Sequence, residues 1–171
     1  MKRSFMRQKA VEWQEEAARI ASSQPFHYGS SEDGMSDGTK FSLTGQNAAL
    51  WARATIPDRR AVVEAFATNS VVSSVAMVNA YINDELGQAW GAVLQRNRTV
   101  TSLNLESNSI TSGGMLAIAE ALRVNSSLVE LKLSNQHLAF SQQSEMAIAE
   151  ALEGNGTLMK LTIELRNPRP R

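Results

Sequence analysis

Val100-Thr101-Ser102-Leu103-Asn104-Leu105-Glu106-Ser107-Asn108-Ser109-Ile110 sets aliphatic side chains at its first, fourth, sixth and eleventh places and an amide at its ninth. The cadence returns along the chain as Val72, Val75, Met77, then Leu128, Leu131, Leu133, then Leu158, Leu161, Ile163. Each copy follows an asparagine by three residues, at Asn69, Asn97, Asn125 and Asn155, so the period is 28, 28 and 30 residues. An alternating Leu-x-Leu triplet makes a short strand with its aliphatic side chains on one face and the intervening residues on the other. Asn108 is placed to turn its amide inward, onto backbone groups that the bend after the strand leaves without ladder partners. Gln136 holds the same place in the following copy and Ala80 in the preceding one.

Between the strands the period changes to that of a helix. Helices are expected over Leu86–Gln95, Met115–Val124 and Glu145–Glu153, the second showing an apolar stripe of Met115, Ile118, Ala119 and Leu122. A strand and a helix that return together with this spacing form a leucine-rich repeat. A single unit cannot bury its own apolar edge, so neighbours stack. The fold class is therefore α/β: a short leucine-rich repeat solenoid with a parallel β-sheet on the concave face and helices on the convex face. The three turns led by Asn97, Asn125 and Asn155, which connect helix end to strand, are expected to use the left-handed backbone region that Asn tolerates.

The front of the chain supplies a cap. Pro57 opens a helix running to Thr68, with Val62, Val63 and Phe66 on its buried side, and Phe41-Ser42-Leu43 reads as a degenerate strand before it. Residues 22–40 are rich in Gly, Pro, Ser and acids and read as a flexible linker. Upstream, Met6, Ala10, Trp13, Ala17 and Ile20 share one face of an amphipathic helix. That helix either docks on the solenoid or offers its stripe to a partner. The organisation is thus a helix over residues 1–21, a linker over 22–40 and a capped repeat domain over 41–171.

Composition narrows the function. The 171 residues include 17 Lys plus Arg, 17 Asp plus Glu and no Cys, which excludes disulfide scaffolds, cysteine-ligated metals and thiol nucleophiles. The basic residues crowd both tips, and Val11 to Leu165 holds 10 basic against 17 acidic side chains, a formal charge of −7. A body of that charge lacks the stripe that phosphate neutralisation requires, so nucleic acid is not an expected partner. No apolar run reaches 18 residues, and Met1 to Arg7 leads into Glu12, Glu15 and Glu16, so neither membrane insertion nor a secretion signal is expected and the chain is read as cytoplasmic.

His27 and His137 have no second ligand at metal-binding spacing, and Gly113-Gly114 is read as part of a tight strand-to-helix turn. Asn97, Asn125 and Asn155 sit in N-x-S/T sequons, but their periodic recurrence assigns them to the repeat rather than to glycans. Glu15 with Glu16 and Asp84 with Glu85 are neighbours along the chain, not carboxylates facing one another across a cleft. No catalytic residue, metal or cofactor is assigned, and no enzyme is expected.

The string Ser102 to Arg123, continued by Asn125, Leu128, Glu130 to Leu133, Asn135-Gln136, Glu145-Met146, Ile148-Ala149, Leu152-Glu153, Asn155, Leu158 and Lys160, resembles the leucine-rich repeat domain of tropomodulins and leiomodins. The resemblance fades upstream towards Val62. It implies a cytoskeletal protein-interaction module that binds actin at the filament pointed end. The family's front segments for tropomyosin and a first actin subunit are not recognisable in Met1 to Arg60. The alternative is a structural subunit of a larger assembly unrelated to actin. For either partner the candidate contacts are the outward residues of the strands: Ser102, Asn104, Glu106, Glu130, Lys132, Ser134, Lys160, Thr162 and Glu164.

Overall fold

A computed structural model describes residues 13–24, 38–43 and 50–165. Met6 and Ala10 of the front stripe, His27 in the linker and the basic residues of both tips lie outside the described residues. Strands and helices alternate: β1 Lys40–Ser42, α1 Ile56–Ala65, β2 Ser74–Ala76, α2 Asp84–Arg96, β3 Ser102–Asn104, α3 Ser112–Leu122, β4 Glu130–Lys132, α4 Gln142–Gly154 and β5 Lys160–Thr162. The strands pair in parallel in the order β1-β2-β3-β4-β5, with Phe41, Val75, Leu103, Leu131 and Leu161 in one register row. This is the α/β leucine-rich repeat solenoid that the period of the aliphatic residues predicts. Leu103, Leu105, Leu131 and Leu133 are fully buried, while Leu161 and Ile163 of the last copy are only half-buried because no further repeat packs on them among the described residues.

The helices start two or three residues ahead of their apolar stripes, because the cap and not the stripe fixes the start. Asn83 and Ser141 accept from the backbone N–H of Leu86 and Ser144 and so begin α2 and α4. At the other end of its range α1 stops at Ala65 rather than Thr68. Lys40, read as linker, belongs to β1, where it stands opposite Ser74.

The recurring asparagines do not adopt the expected left-handed geometry. Asn97 has φ −67° and Asn155 φ −95°. They act through their side chains instead. Asn97 Nδ2 donates to the carbonyls of Phe66 (2.7 Å) and Asn69 (3.0 Å) in the preceding repeat, and its Oδ1 accepts from Thr99 and Val100 in its own. Asn125 repeats this with Leu94 and Asn97, and Asn155 with Leu122 and Asn125. Left-handed backbone recurs instead at Asn79, Ser107 and Asn135, ten residues further on, where the chain leaves each strand; Ser23 and Tyr81 adopt it as well.

Asn69 extends this ladder towards the front, donating 2.7 Å to the carbonyl of Ile20, while Thr68 Oγ1 donates 2.9 Å to that of Ala21. The helical residues 13–21 therefore stand where the helix of a preceding repeat would stand. Trp13, Ala17 and Ile20 are buried, with Trp13 edge-on to Trp51 at 5.4 Å. Trp51 donates its indole N–H to the carbonyl of Ala80, and Phe66 stacks on Trp90 and meets Phe41 edge-on. Aromatic bulk thus fills the front of the stack, whereas the later repeats are filled mainly by aliphatic residues, with Phe140 beside them.

Candidate functional site

The sheet register aligns the outward strand residues in rows. The first runs Lys40, Ser74, Ser102, Glu130, Lys160 and the second Ser42, Ala76, Asn104, Lys132, Thr162. Glu106, Ser134 and Glu164 lie two residues beyond β3, β4 and β5. All nine candidate residues therefore belong to one polar strip along the sheet. Sequence reasoning missed its front end, Lys40, Ser42, Ser74 and Ala76. The polar-apolar alternation of Lys40-Phe41-Ser42-Leu43 is the signal that carries them.

Glu130 is the centre of this strip. Its carboxylate meets Lys160 Nζ at 2.7 Å and Lys132 Nζ at 3.6 Å, and Ser102 Oγ donates to it at 3.1 Å. Hydrogen bonds from Lys160 and Ser102 hold the Glu130 carboxyl below the usual carboxylate range, and the same contact raises the Lys160 ammonium above its ordinary value. These groups are solvent-accessible, so the cluster orders the strip more than it stabilises the fold. Asn104 is folded back, its Oδ1 accepting from the N–H of Glu106. The strip can offer charged and polar contacts of both signs.

A second carboxylate has another duty. Asp84 Oδ1 accepts from the backbone N–H of Thr111 (2.6 Å) and Gly114 (3.0 Å), and Oδ2 accepts from Thr111 Oγ1. Thr111 is the N-cap residue of α3 but makes no cap bond with its own side chain. Asp84, from the preceding repeat, caps α3 instead. Burial pushes the Asp84 carboxyl up, but the bonds from Thr111, Gly114 and Gly113 outweigh it and leave it below the usual range. Gly113 and Gly114 consequently belong to the first turn of α3 and not to a turn before it. A β-carbon on Gly114 would stand 2.8 Å from Ile110 Cγ2 and 3.1 Å from Asp84 Oδ1, so their smallness admits the neighbouring repeat.

His137 Nδ1 lies 3.0 Å from Ser109 Oγ on the exposed rim. Among the described residues no three metal-ligating side chains gather, and no helix is long and apolar enough to cross a membrane. On the convex side a groove of about 520 Å³ runs between α3 and α4, lined by Leu116, Met146 and Ala147 and bordered by Arg123 with its partners Glu120 and Glu150.

Rat, mouse and human leiomodin-1 are each 44% identical to this chain over 108 residues, covering 62% of it and 18% of the leiomodin. Mouse tropomodulin-4 is 40% identical over 81 residues, covering 47% of this chain and 24% of the relative. The chain thus spans about a fifth of the length of these curated relatives. Among solved structures, actin-binding site 2 of leiomodin-1 superposes with a TM-score of 0.68 at 31% identity, covering 90% of this chain and 79% of the other. The C-terminal domain of Caenorhabditis elegans tropomodulin, 24% identical, superposes at 0.62 over 68% of this chain and 70% of its own, which shows the shared fold. The family described as the TMOD/LMOD leucine-rich domain matches residues 42–171, and the chain belongs to that family.

Proposed function

We propose that this chain is a non-enzymatic module that binds actin with the polar strip of its concave sheet. The observation that carries the reading is the likeness to actin-binding site 2 of leiomodin-1, which extends over 90% of the chain. The physical support is the strip itself. Strands only three residues long, held in register by the asparagine ladder, present Asn104, Glu106, Glu130, Lys132, Ser134, Lys160, Thr162 and Glu164 as a rigid row, and rigidity lowers the entropic cost of binding. Partner contacts at Ser102 and Lys40 extend the row towards the front. An actin-bound chain of this kind works in the cytoplasm, at the cytoskeleton. The units of this reading are the front helix over residues 1–21, a linker from residue 22, and a repeat domain that takes in Lys40.

The test is co-sedimentation of the purified chain with actin filaments, together with elongation from filament pointed ends and binding to monomeric actin. Pelleting with filaments, slowed pointed-end growth or a saturable monomer complex at micromolar concentration is expected. Absence of all three removes actin and favours the larger-assembly alternative.

A further inference from the structure

Two neighbouring arginines of α1 are treated in opposite ways. Arg60 is exposed and meets two carboxylates, Glu64 at 2.7 Å and Glu85 at 3.5 Å. Arg59 is 8% exposed and meets no carboxylate among the described residues. The adjacent Asp58 carboxylate is engaged by Thr55 Oγ1 at 2.6 Å instead. Arg59 Nε donates to the carbonyl of Trp51 (3.1 Å) and Nη2 to that of Ala52 (2.8 Å). Its guanidinium carbon lies 5.8 Å from the ring centre of Trp51 and 5.7 Å from that of Tyr81. Two carbonyls and two rings hold the cation, and none of them carries a formal negative charge. Burying a charge without a counter-ion is costly. The fork is only partly used: both N–H groups of Nη1 and the second of Nη2 have no partner among the described residues. There, the one unpartnered side-chain nitrogen sealed from solvent is Trp90 Nε1, so Arg59 Nη1 opens to solvent.

The guanidinium lies against an aromatic ring that the fold holds rigidly. Tyr81 is 58% exposed and has φ +55°, a backbone region that a bulky side chain seldom adopts. Ser109, one repeat on, holds the same place without it. Asn108 Oδ1 accepts from the N–H of Ala80 (2.9 Å) and of Ile82 (3.1 Å), bracketing Tyr81. A conformation that its surroundings over-determine in this way points to a binding role.

The charge selects the ligand. A planar fork matches a carboxylate, which accepts two parallel N–H bonds and leaves no charge over. A phosphate dianion would leave net negative charge on a body whose residues Val11 to Leu165 hold 10 basic against 17 acidic side chains. The Tyr81 ring adds a fixed apolar face beside the fork, and Tyr and Arg are enriched where binding energy concentrates.

We propose that Arg59 and Tyr81 form an acceptor for a side-chain carboxylate on an acidic segment of a protein partner, the Tyr81 ring packing on the apolar residue beside that carboxylate. The acceptor uses none of the residues of the concave strip and stands independently of the actin reading.

The test is an NMR titration of the 171-residue chain followed at the Arg59 Nε–H, the Trp51 indole N–H and the Tyr81 ring. The probes are the blocked peptide acetyl-Leu-Glu-Leu-amide, its Gln counterpart and inorganic phosphate. Saturable shifts at these three groups are expected with the Glu peptide at millimolar concentration, with binding of the Gln peptide and of phosphate weaker by roughly tenfold or more. Arg59→Gln abolishes the response. Because Arg59 is buried, Tyr81→Asn provides a second variant: Asn tolerates the left-handed backbone, so the fold is kept while the ring is lost, and the Glu peptide binds roughly fivefold more weakly. Circular dichroism establishes that each variant is folded. Equal response to the Glu and Gln peptides, tighter binding of phosphate, or a folded Tyr81→Asn with unchanged affinity overturns the proposal.

Discussion

Gly91 of α2 packs so closely on Ala117 of α3 that a β-carbon at Gly91 would stand 2.7 Å from both the carbonyl carbon and the carbonyl oxygen of Ala117. That approach is backbone to backbone, and no rotamer change relieves it. Alanine at this site gains about 1 kcal/mol of helix propensity, but the two helices must part. Gly91→Ala is expected to destabilise by about 1–3 kcal/mol net. Gly154→Ala, at the end of α4 with nothing within 4 Å, is expected to be neutral or slightly stabilising. Urea unfolding of both variants checks the contrast.

The amide ladder predicts a second contrast. Asn97 is buried, with four backbone partners in two repeats. Asn97→Asp keeps the acceptor but removes the donor, leaving the Phe66 and Asn69 carbonyls without it, at about 1–3 kcal/mol for each orphaned group. Asn155→Asp, in the half-buried final turn, is expected to cost less. Chemical denaturation midpoints order the two.

Asp84 makes stability depend on pH. Its folded carboxyl titrates below its unfolded one, so its contribution is complete above the ordinary carboxylate range and is lost as pH falls through the lower folded value. Asp84→Asn is expected to cost about 0.5–2 kcal/mol at neutral pH, the range of a lost helix cap. The gap between variant and wild type narrows as the pH is taken down through the lowered folded value and the carboxyl protonates. A gap that stays constant would show that Asp84 acts only by its shape.

Glu130→Ala with Lys132→Ala removes the centre of the polar strip without touching the core. Unchanged melting temperature and weaker co-sedimentation with actin filaments are expected, and raised salt should weaken wild-type binding in the same direction. Leu131→Ala, on the inward side of the same strand, should instead destabilise by about 2–5 kcal/mol, because it empties a fully buried site.

The strands were legible because their inward residues repeat in type as well as spacing, so that Leu103, Leu131 and Leu161 fall in one row. The same period placed the nine candidate residues on one face. What sequence reasoning misplaced depends on contacts between repeats. Asn97, Asn125 and Asn155 were given a local backbone role, when the carbonyls that their Nδ2 groups serve lie 28 to 33 residues away. Gly113-Gly114 looked like turn chemistry, since nothing in the string Thr-Ser-Gly-Gly reveals that Asp84 reaches across from the previous repeat. Strand β1 was the weakest pattern, three residues that hold their place through Phe41 against Phe66 and the register with β2.

The concentration of indoles at the front has a spectroscopic consequence. All three tryptophans, Trp13, Trp51 and Trp90, are buried ahead of β3, and the Trp90 indole N–H has no hydrogen-bond partner among the described residues. Intrinsic fluorescence therefore watches the first half of the stack and is blind to fraying of α4 and β5. A melt followed by emission should lag one followed by helical ellipticity whenever the far end loosens first, and a tryptophan introduced at Phe140 would bring the two signals back together.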